Sequence, residues 1–303
     1  MQDRAKSIVV LGASGRVGRL IVAEWAARPV LHAQYQARQP EEPGWLTWQL
    51  SDGAAALADR FAANLGAVIV LSGVTPAPGA EYALNTALAL AGLEAARLGG
   101  AAQVLLASSA AVYGRGAGEA ALDEAAPVAP VSDYGSAKAE MEQACRRWRD
   151  RAGAAAPAVT LLRIGNVVGT DQFFRNMPGA SPDKPMVLDQ FADGSGPVRS
   201  YIGPGSLARV VVHLCGIADR GETVPEVVNI GAPGGGVDMA RFLTAMQARG
   251  RAVPAIRRAA PPDALPALRL DTALLQSLHR FEPAEAEPGE MVDQWLQLTG
   301  QAA

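Results

Sequence analysis

Short runs of consecutive apolar residues alternate along the first half of the chain with longer stretches whose apolar positions recur every three or four residues. The first run, residues 7–11 (Ser-Ile-Val-Val-Leu), stops at a cluster of glycines, and residues 19–27 then follow with helical spacing. Similar apolar runs at 30–37, 46–50, 67–71 and 104–107 predict strands, and the periodic stretches 54–64, 81–98 and 134–150 predict helices. Strands buried on both faces read as continuous rather than alternating apolar segments, as these do. Strand and helix alternating through short connections predict an α/β architecture, a doubly wound parallel sheet. Past residue 170 the rhythm breaks. Residues 177–185 are loop-like, 207–218 and 238–249 read as helices, 227–230 as a strand, and 253–266, rich in Pro and Arg, as an extended exposed segment.

The glycine cluster changes the picture from architecture to chemistry. It reads Gly12-Ala13-Ser14-Gly15-Arg16-Val17-Gly18, placed between a strand and a helix. Glycine permits a tight turn and close backbone approach there, and the helix N-terminus offers amides and a dipole to a pyrophosphate. The expected fold is therefore a Rossmann-type doubly wound parallel sheet over residues 1–165, to which a segment at about 205–232 returns. A small C-terminal lobe, mainly 166–303, is expected to hold substrate. The second strand ends in Gln36-Ala37-Arg38, with no carboxylate before Glu41. An acid at that place bonds the ribose 2′-hydroxyl and an arginine accommodates a 2′-phosphate, so Arg38 tilts the expectation to NADP, with NAD as the alternative; a solvated loop arginine fits the same position. Leu71-Ser72-Gly73 lies just past the fourth strand, where open α/β sheets hold ligands.

Composition narrows the classes further. The chain has 303 residues, 49% hydrophobic and 19% charged, with a net charge of −3. Such a balance excludes a disordered chain and speaks against nucleic acid as a partner. Cys145 and Cys215 stand singly in apolar-periodic segments, and His32, His213 and His279 are scattered, so no metal or redox motif is expected. The N-terminus lacks the features of a signal peptide and no segment is long and apolar enough for a bilayer span, which makes a cytoplasmic protein without membrane attachment the expectation.

The reactive candidates are Tyr134 and Lys138, four residues apart behind Ser132, a potential helix cap, together with Ser109 at the end of the fifth strand. A cation beside a phenol favours the phenolate, which suits the pair to moving a proton. Tyr134, Lys138, Met141, Cys145 and Trp148 also fit the stripe of an ordinary amphipathic helix. Context decides between the two. Gly12, Gly15 and Gly18, then Asn85-Thr86, then Ser108-Ser109-Ala110-Ala111-Val112-Tyr113-Gly114, then Tyr134-x-x-x-Lys138, then Leu162-Arg163-Ile164-Gly165-Asn166-Val167-Val168-Gly169 occur in that order. In this the chain resembles the extended short-chain dehydrogenases/reductases, which include NAD(P)-dependent sugar epimerases and dehydratases. Ile164 and Val168 depart from the proline and tyrosine usual in the last element.

The resemblance implies that Tyr134 is the general acid/base, that Lys138 lowers its pKa and contacts the nicotinamide ribose, and that Ser109 hydrogen-bonds the reacting oxygen. It implies a cofactor site of Gly12, Ser14, Gly15, Arg16, Val17, Gly18, Arg38, Leu71, Ser72, Gly73 and Asn85, completed by Tyr134 and Lys138. Asn85 is expected to support the backbone there or a water in the proton path. Substrate would meet Ser109, Ala110, Asn166 and Arg199, the last resembling the arginine that holds the diphosphate of a nucleotide-sugar; a salt-bridged or solvated arginine fits as well. Family dehydratases carry an acid where Ala110 stands, so dehydration is disfavoured. A histidine and an aspartate usual after Arg199 are replaced by Gly203-Pro204-Gly205-Ser206, and the interval from Asn166 to Arg199 is short for a nucleotide-sugar epimerase. The expected activity is hydride transfer to or from a secondary alcohol or carbonyl of a sugar-like small molecule, with nucleotide-sugar epimerisation as the alternative and a non-catalytic cofactor-binding protein as a third reading. A homodimer is expected from the family.

Overall fold

The computed structural model describes residues 6–27, 32–62, 64–116 and 120–301. The apolar runs become the strands β1 (Ser7–Leu11), β2 (Ala33–Ala37), β3 (Leu46–Thr47), β4 (Leu65–Val70), β5 (Gln103–Ser109) and β6 (Ala158–Ile164). Between them lie the helices α1 (Arg16–Ala27), α2 (Gly53–Ala58), α3 (Leu84–Leu98) and α4 (Asp133–Ala152). With Val227–Ile230 at one edge they form a seven-stranded parallel sheet in the order Val227–Ile230, β6, β5, β4, β1, β2, β3. β1 lies between β4 and β2, where the strand order reverses. Ligands bind outside the carboxyl ends of strands at such a switch point.

The chain divides into two compact units, one of Met1–Gly114, Val128–Arg163 and Ala208–Val228, the other of Arg115–Pro127, Ile164–Leu207 and Asn229–Ala303. In the first, Val9, Leu11, Val68, Val70, Val104 and Leu106 from the strands pack on Ala89, Leu93 and Ala96 of α3 and on Met141 and Cys145 of α4. α3 approaches the sheet closely because its inward residues are small: a Cβ on Gly92 would stand 2.7 Å from Val70 Cγ2. In the second unit, Phe173, Phe174, Tyr201 and Phe242 form an aromatic cluster joined by Trp295, the tightest pair being Tyr201 and Phe242 at 4.6 Å between ring centroids. Buried Asn229 donates to the carbonyls of Leu122 and Asp271, fixing three separate segments of that unit with one amide.

Several boundaries differ from the sequence expectation, each for a local reason. α1 starts at Arg16 rather than at residue 19, so Gly18 belongs to its first turn. β3 covers only Leu46–Thr47, because the Asp52 carboxylate accepts from the Gln49 amide at 3.0 Å and turns the chain into α2 early. α3 starts at Leu84 rather than near 81: the Asn85 amide donates to the Tyr82 carbonyl at 3.0 Å and holds the preceding residues in turns. Residues 30 and 31 of the expected second strand fall outside the described residues. Of residues 253–266, Ala255–Ala259 is extended and exposed as expected, a strand paired in parallel with Met186–Gln190, whereas the Ala264 amide donates to the Pro261 carbonyl and turns the chain.

Candidate active site

β1 delivers the chain into the glycine loop at the switch point. Gly12 has φ +80, and a Cβ there would stand 2.6 Å from the Ser72 amide nitrogen. A Cβ on Gly18 would stand 2.5 Å from the carbonyl oxygens of both Gly12 and Ala13. The loop is thus folded against its own backbone and against the end of β4, whose Leu71 and Ser72 amides both donate to the Leu11 carbonyl. Beyond the loop, the Gly12 amide donates to Gln36 Oε1 at 2.9 Å, while Gln36 Nε2 donates to the Trp48 carbonyl at 2.7 Å. Gln36, buried at the end of β2, is thereby bonded to the loop itself, whereas Arg38 lies exposed just past the strand. Arg19 bridges the Ser14 carbonyl and Glu41.

The loop after β4 is set by a single side chain. Asn85, fully buried in the first turn of α3, accepts from the Val74 amide at 3.0 Å and donates to the carbonyls of Val74 and Tyr82. A Cβ on Gly73 would lie 2.7 Å from Asn85 Oδ1 and 3.4 Å from Lys138 Nζ, so this glycine marks the place where the two side chains meet the loop. Arg16 reaches across from α1 to donate to Thr75 Oγ1 at 2.6 Å.

Ser132 caps α4 as its position predicts, accepting from the Gly135 amide at 3.1 Å. The helix presents Tyr134 to Ser109, whose hydroxyl is near enough to lower the pKa of the phenol and accepts from the Ala111 amide at 3.2 Å. Ser109 and Tyr134 are therefore in contact. Lys138 is one turn further on and buried, with Nζ donating to the Ala107 carbonyl of β5 at 2.9 Å. Burial raises the Tyr134 pKa; the opposing influences are the Ser109 hydroxyl and the charge of Arg16, with the nearby Tyr82 adding to the rise. The lysine points at a carbonyl instead of the phenol, and burial pushes its own pKa down to about 8. Arg16, expected only as a residue of the loop, thus acts on the phenol, and Tyr82, whose ring lies 6.0 Å from that of Tyr134, was not singled out from sequence at all. A tyrosine two positions ahead of a helix start carries no sequence signal for this.

Behind the pair lies a buried ionic cluster. Glu142 receives two donors from Arg163, at 3.1 and 2.8 Å, and one from Ser108 Oγ at 2.6 Å. Arg163 also donates to the Tyr113 hydroxyl at 2.9 Å.

In the second unit Asn166 donates to Asp171 Oδ2, which the Tyr201 hydroxyl also reaches at 2.6 Å. Arg199 is half-buried, and its guanidinium donates to the carbonyls of Val198, Leu265 and Pro266. Among the described residues no carboxylate pairs with it, and burial lowers its pKa. Ala110 is buried in the short turn Ala110–Tyr113 that follows Ser109.

Residues 8–231 match the family profile described as "NAD dependent epimerase/dehydratase family". The chain belongs to that family. It is accordingly an NAD(P)-dependent enzyme. No curated protein matches the chain by sequence. Among solved structures, it is similar to a UDP-glucose 4-epimerase from Brucella ovis in complex with NAD (TM-score 0.79, 21% identity, 96% of this chain and 97% of that one). It is also similar to a UDP-glucose-4-epimerase from Stenotrophomonas maltophila with bound NAD and formylated UDP-arabinopyranose (TM-score 0.76, 17% identity, 98% and 100%). A third is an NAD-dependent NDP-hexosamine 5,6-dehydratase involved in tunicamycin biosynthesis (TM-score 0.73, 20% identity, 98% and 99%). At these identities the likeness speaks for the fold.

The cradle fits the family's cofactor. Only glycine can occupy positions 12 and 18 at the observed distances, which brings the loop to the N-terminus of α1, the end of a helix that suits an anion. Gly12→Ala therefore combines a left-handed φ with a backbone collision, and we expect it to cost about 2 kcal/mol of stability and to weaken NADH binding about tenfold, read by thermal unfolding and by NADH fluorescence titration. Among the described residues no cluster of His, Cys, Asp and Glu could hold a metal, and no helix is long and apolar enough to cross a membrane.

Proposed function

We propose that the enzyme oxidises and re-reduces a secondary alcohol carbon of a nucleotide-sugar, with epimerisation as the net reaction. The observation that carries the reading is the placing of Ser109, at the carboxyl end of β5, beside the Tyr134 phenol whose pKa it lowers, in the same unit as the glycine cradle. In this reading Tyr134 takes the proton of the substrate hydroxyl and returns it, while Ser109 hydrogen-bonds the same oxygen as it becomes a carbonyl. A bound nicotinamide supplies reversible hydride acceptance. Lys138 holds the cofactor ribose, and Asn85 keeps the loop over it in shape. Elimination of water is disfavoured because Ala110 offers no acid or base beside Ser109.

A nucleotide-sugar is favoured by Arg199. A guanidinium bonded only to main-chain carbonyls keeps its full positive charge, and a diphosphate is the complementary partner. Asn166, tied to Asp171, is the candidate for a further polar contact to the sugar or its phosphates. For the cofactor, Gln36 offers an amide where a carboxylate would select NAD, and the exposed Arg38 can meet a 2′-phosphate; both support NADP. The three similar structures are with NAD or described as NAD-dependent, which supports the other choice, and parallel titration with NADH and NADPH decides. We also infer a homodimer through α3 and α4, supported by the exposed Leu98 at the end of α3; sedimentation velocity tests it.

The test is incubation with UDP-, dTDP- and GDP-sugars and catalytic cofactor, followed by proton NMR. An epimer forming without net NAD(P)H supports the reading. Stoichiometric NAD(P)H would make the enzyme a net dehydrogenase of a sugar-like alcohol, and absence of both binding and turnover across the panel overturns the nucleotide-sugar assignment. Arg199→Met should weaken nucleotide-sugar binding about tenfold to hundredfold, the worth of one charged hydrogen-bonding group, and leave NADH affinity unchanged.

A further inference from the structure

We propose that Glu142 is a positioning residue for the catalytic set: its carboxylate ties β5, α4 and β6 together and places a negative charge one helical turn behind Lys138. The inference rests on the function proposed above and concerns a residue outside its catalytic and binding groups.

Four residues separate Lys138 from Glu142 on α4, so both side chains project from the same face of the helix. Glu142 is 1% exposed and Arg163 2%, yet the pair is held by two hydrogen bonds at 3.1 and 2.8 Å. A buried carboxylate is tolerated only when paired and hydrogen-bonded. Each of its partners leads to a segment that carries chemistry. Ser108, at 2.6 Å, immediately precedes Ser109. Arg163 stacks at 4.8 Å over the ring of Tyr113, which ends the turn starting beside Ser109. A shift of the carboxylate would therefore move the Ser109 hydroxyl against the Tyr134 phenol, since the two are borne by the strand and the helix that Glu142 joins.

Its charge has a second effect. The Lys138 head faces the Ala107 carbonyl from β5, borders Gly73 together with Asn85, and has Met141, Cys145 and Glu142 near it on its own helix. Glu142 in turn faces Ser108 from β5, Arg163 from β6, and Lys138, Cys145 and Arg146 on α4. Cys145 is pushed up to about 12 by burial and stays a neutral thiol, so Glu142 is the carboxylate that sustains the ammonium against desolvation. The sign follows. Burial drives Lys138 down to about 8, Glu142 opposes that, and without Glu142 the ammonium is lost at lower pH.

The experiment is a fluorescence titration of NADH against wild type, Glu142→Gln, Glu142→Asp and Ser108→Ala from neutral to alkaline pH, with circular dichroism to verify folding. Wild-type affinity should fall as pH rises through about 8, where Lys138 loses its proton. In Glu142→Gln the fall should move about half a pH unit or more to lower pH, as expected for loss of a nearby opposite charge. Glu142→Asp keeps the charge and should keep the wild-type profile even with a lower melting temperature, and so should Ser108→Ala. If Glu142→Gln fails to fold, the double substitution Glu142→Gln with Arg163→Gln, which removes both buried charges, should shift in the same direction. Superimposable profiles for wild type and the folded Gln variant overturn the proposal and leave Glu142 a purely structural residue. A shifted profile in an enzyme that turns over no nucleotide-sugar would leave this proposal standing and overturn the proposed reaction instead.

Discussion

Tyr134→Phe is expected to retain NADH binding and to lose turnover by about 10²- to 10⁴-fold, the usual contribution of a positioned general acid/base. The substitution removes one hydroxyl and leaves the ring, so its contact with Tyr82 at 6.0 Å and the cap of α4 persist. What disappears is the hydroxyl that lies beside Ser109. Ser109→Ala leaves the phenol but removes the hydroxyl beside it and the acceptor of the Ala111 amide, and a smaller loss is expected. The phenol is raised above its ordinary pKa by burial and is therefore protonated at neutral pH before ligands bind. Its positive neighbour in this state is Arg16, so Arg16→Met should move the pH dependence of turnover to higher pH if the phenolate is the working base. Product formation by NMR, with parallel NADH titration, separates chemistry from binding. Wild-type turnover in Tyr134→Phe would assign proton transfer to another group.

The elements legible in the sequence are those whose signal is local. The apolar runs of β1 and β4 and the periodic stretch of α3 need no partner to be recognised, and the ordered motifs around Gly12, Ser109, Tyr134 and Lys138 placed the chain in its family. Nothing local marks the direction in which a flexible side chain turns. Lys138 donates to Ala107, a partner 31 residues away that its helix position does not announce, because a four-carbon stem one turn along the helix reaches a carbonyl of β5. Asn85 was expected to support backbone or a water, and its amide bonds the backbone on both sides of the turn before α3. Arg199 was weighed between an anion clamp and a salt-bridged or solvated arginine; its donors go to main-chain carbonyls, an arrangement that depends on a loop segment 66 residues away. The partnership of Glu142 with Arg163 is equally hidden, since the two are 21 residues apart and each would read singly as a solvated charge.

That partnership carries the largest expected effect on stability. Arg163→Met should destabilise the protein by about 3–5 kcal/mol, because it removes both close guanidinium donors from a buried carboxylate and leaves it, among the described residues, Ser108 and the longer Arg146 pair at 3.6 Å. Burial acts against the Arg163 charge, but Glu142 and Tyr113 outweigh it, so the guanidinium is held in its charged form. Replacing both, as Arg163→Met with Glu142→Leu, removes the unmatched charge along with its partner and should restore most of the lost stability, as found generally when a buried ion pair is exchanged for apolar groups of similar volume. Urea unfolding of the two single variants and the double measures the coupling, and additive losses would show that the ions do not depend on one another. The comparison also separates the two roles of the cluster. Folding asks only that the buried charges be matched or absent, so the apolar double variant should satisfy it. The Lys138 ammonium asks for a negative charge behind it, which that variant lacks, so its NADH affinity should still fall at lower pH than in wild type despite the recovered stability.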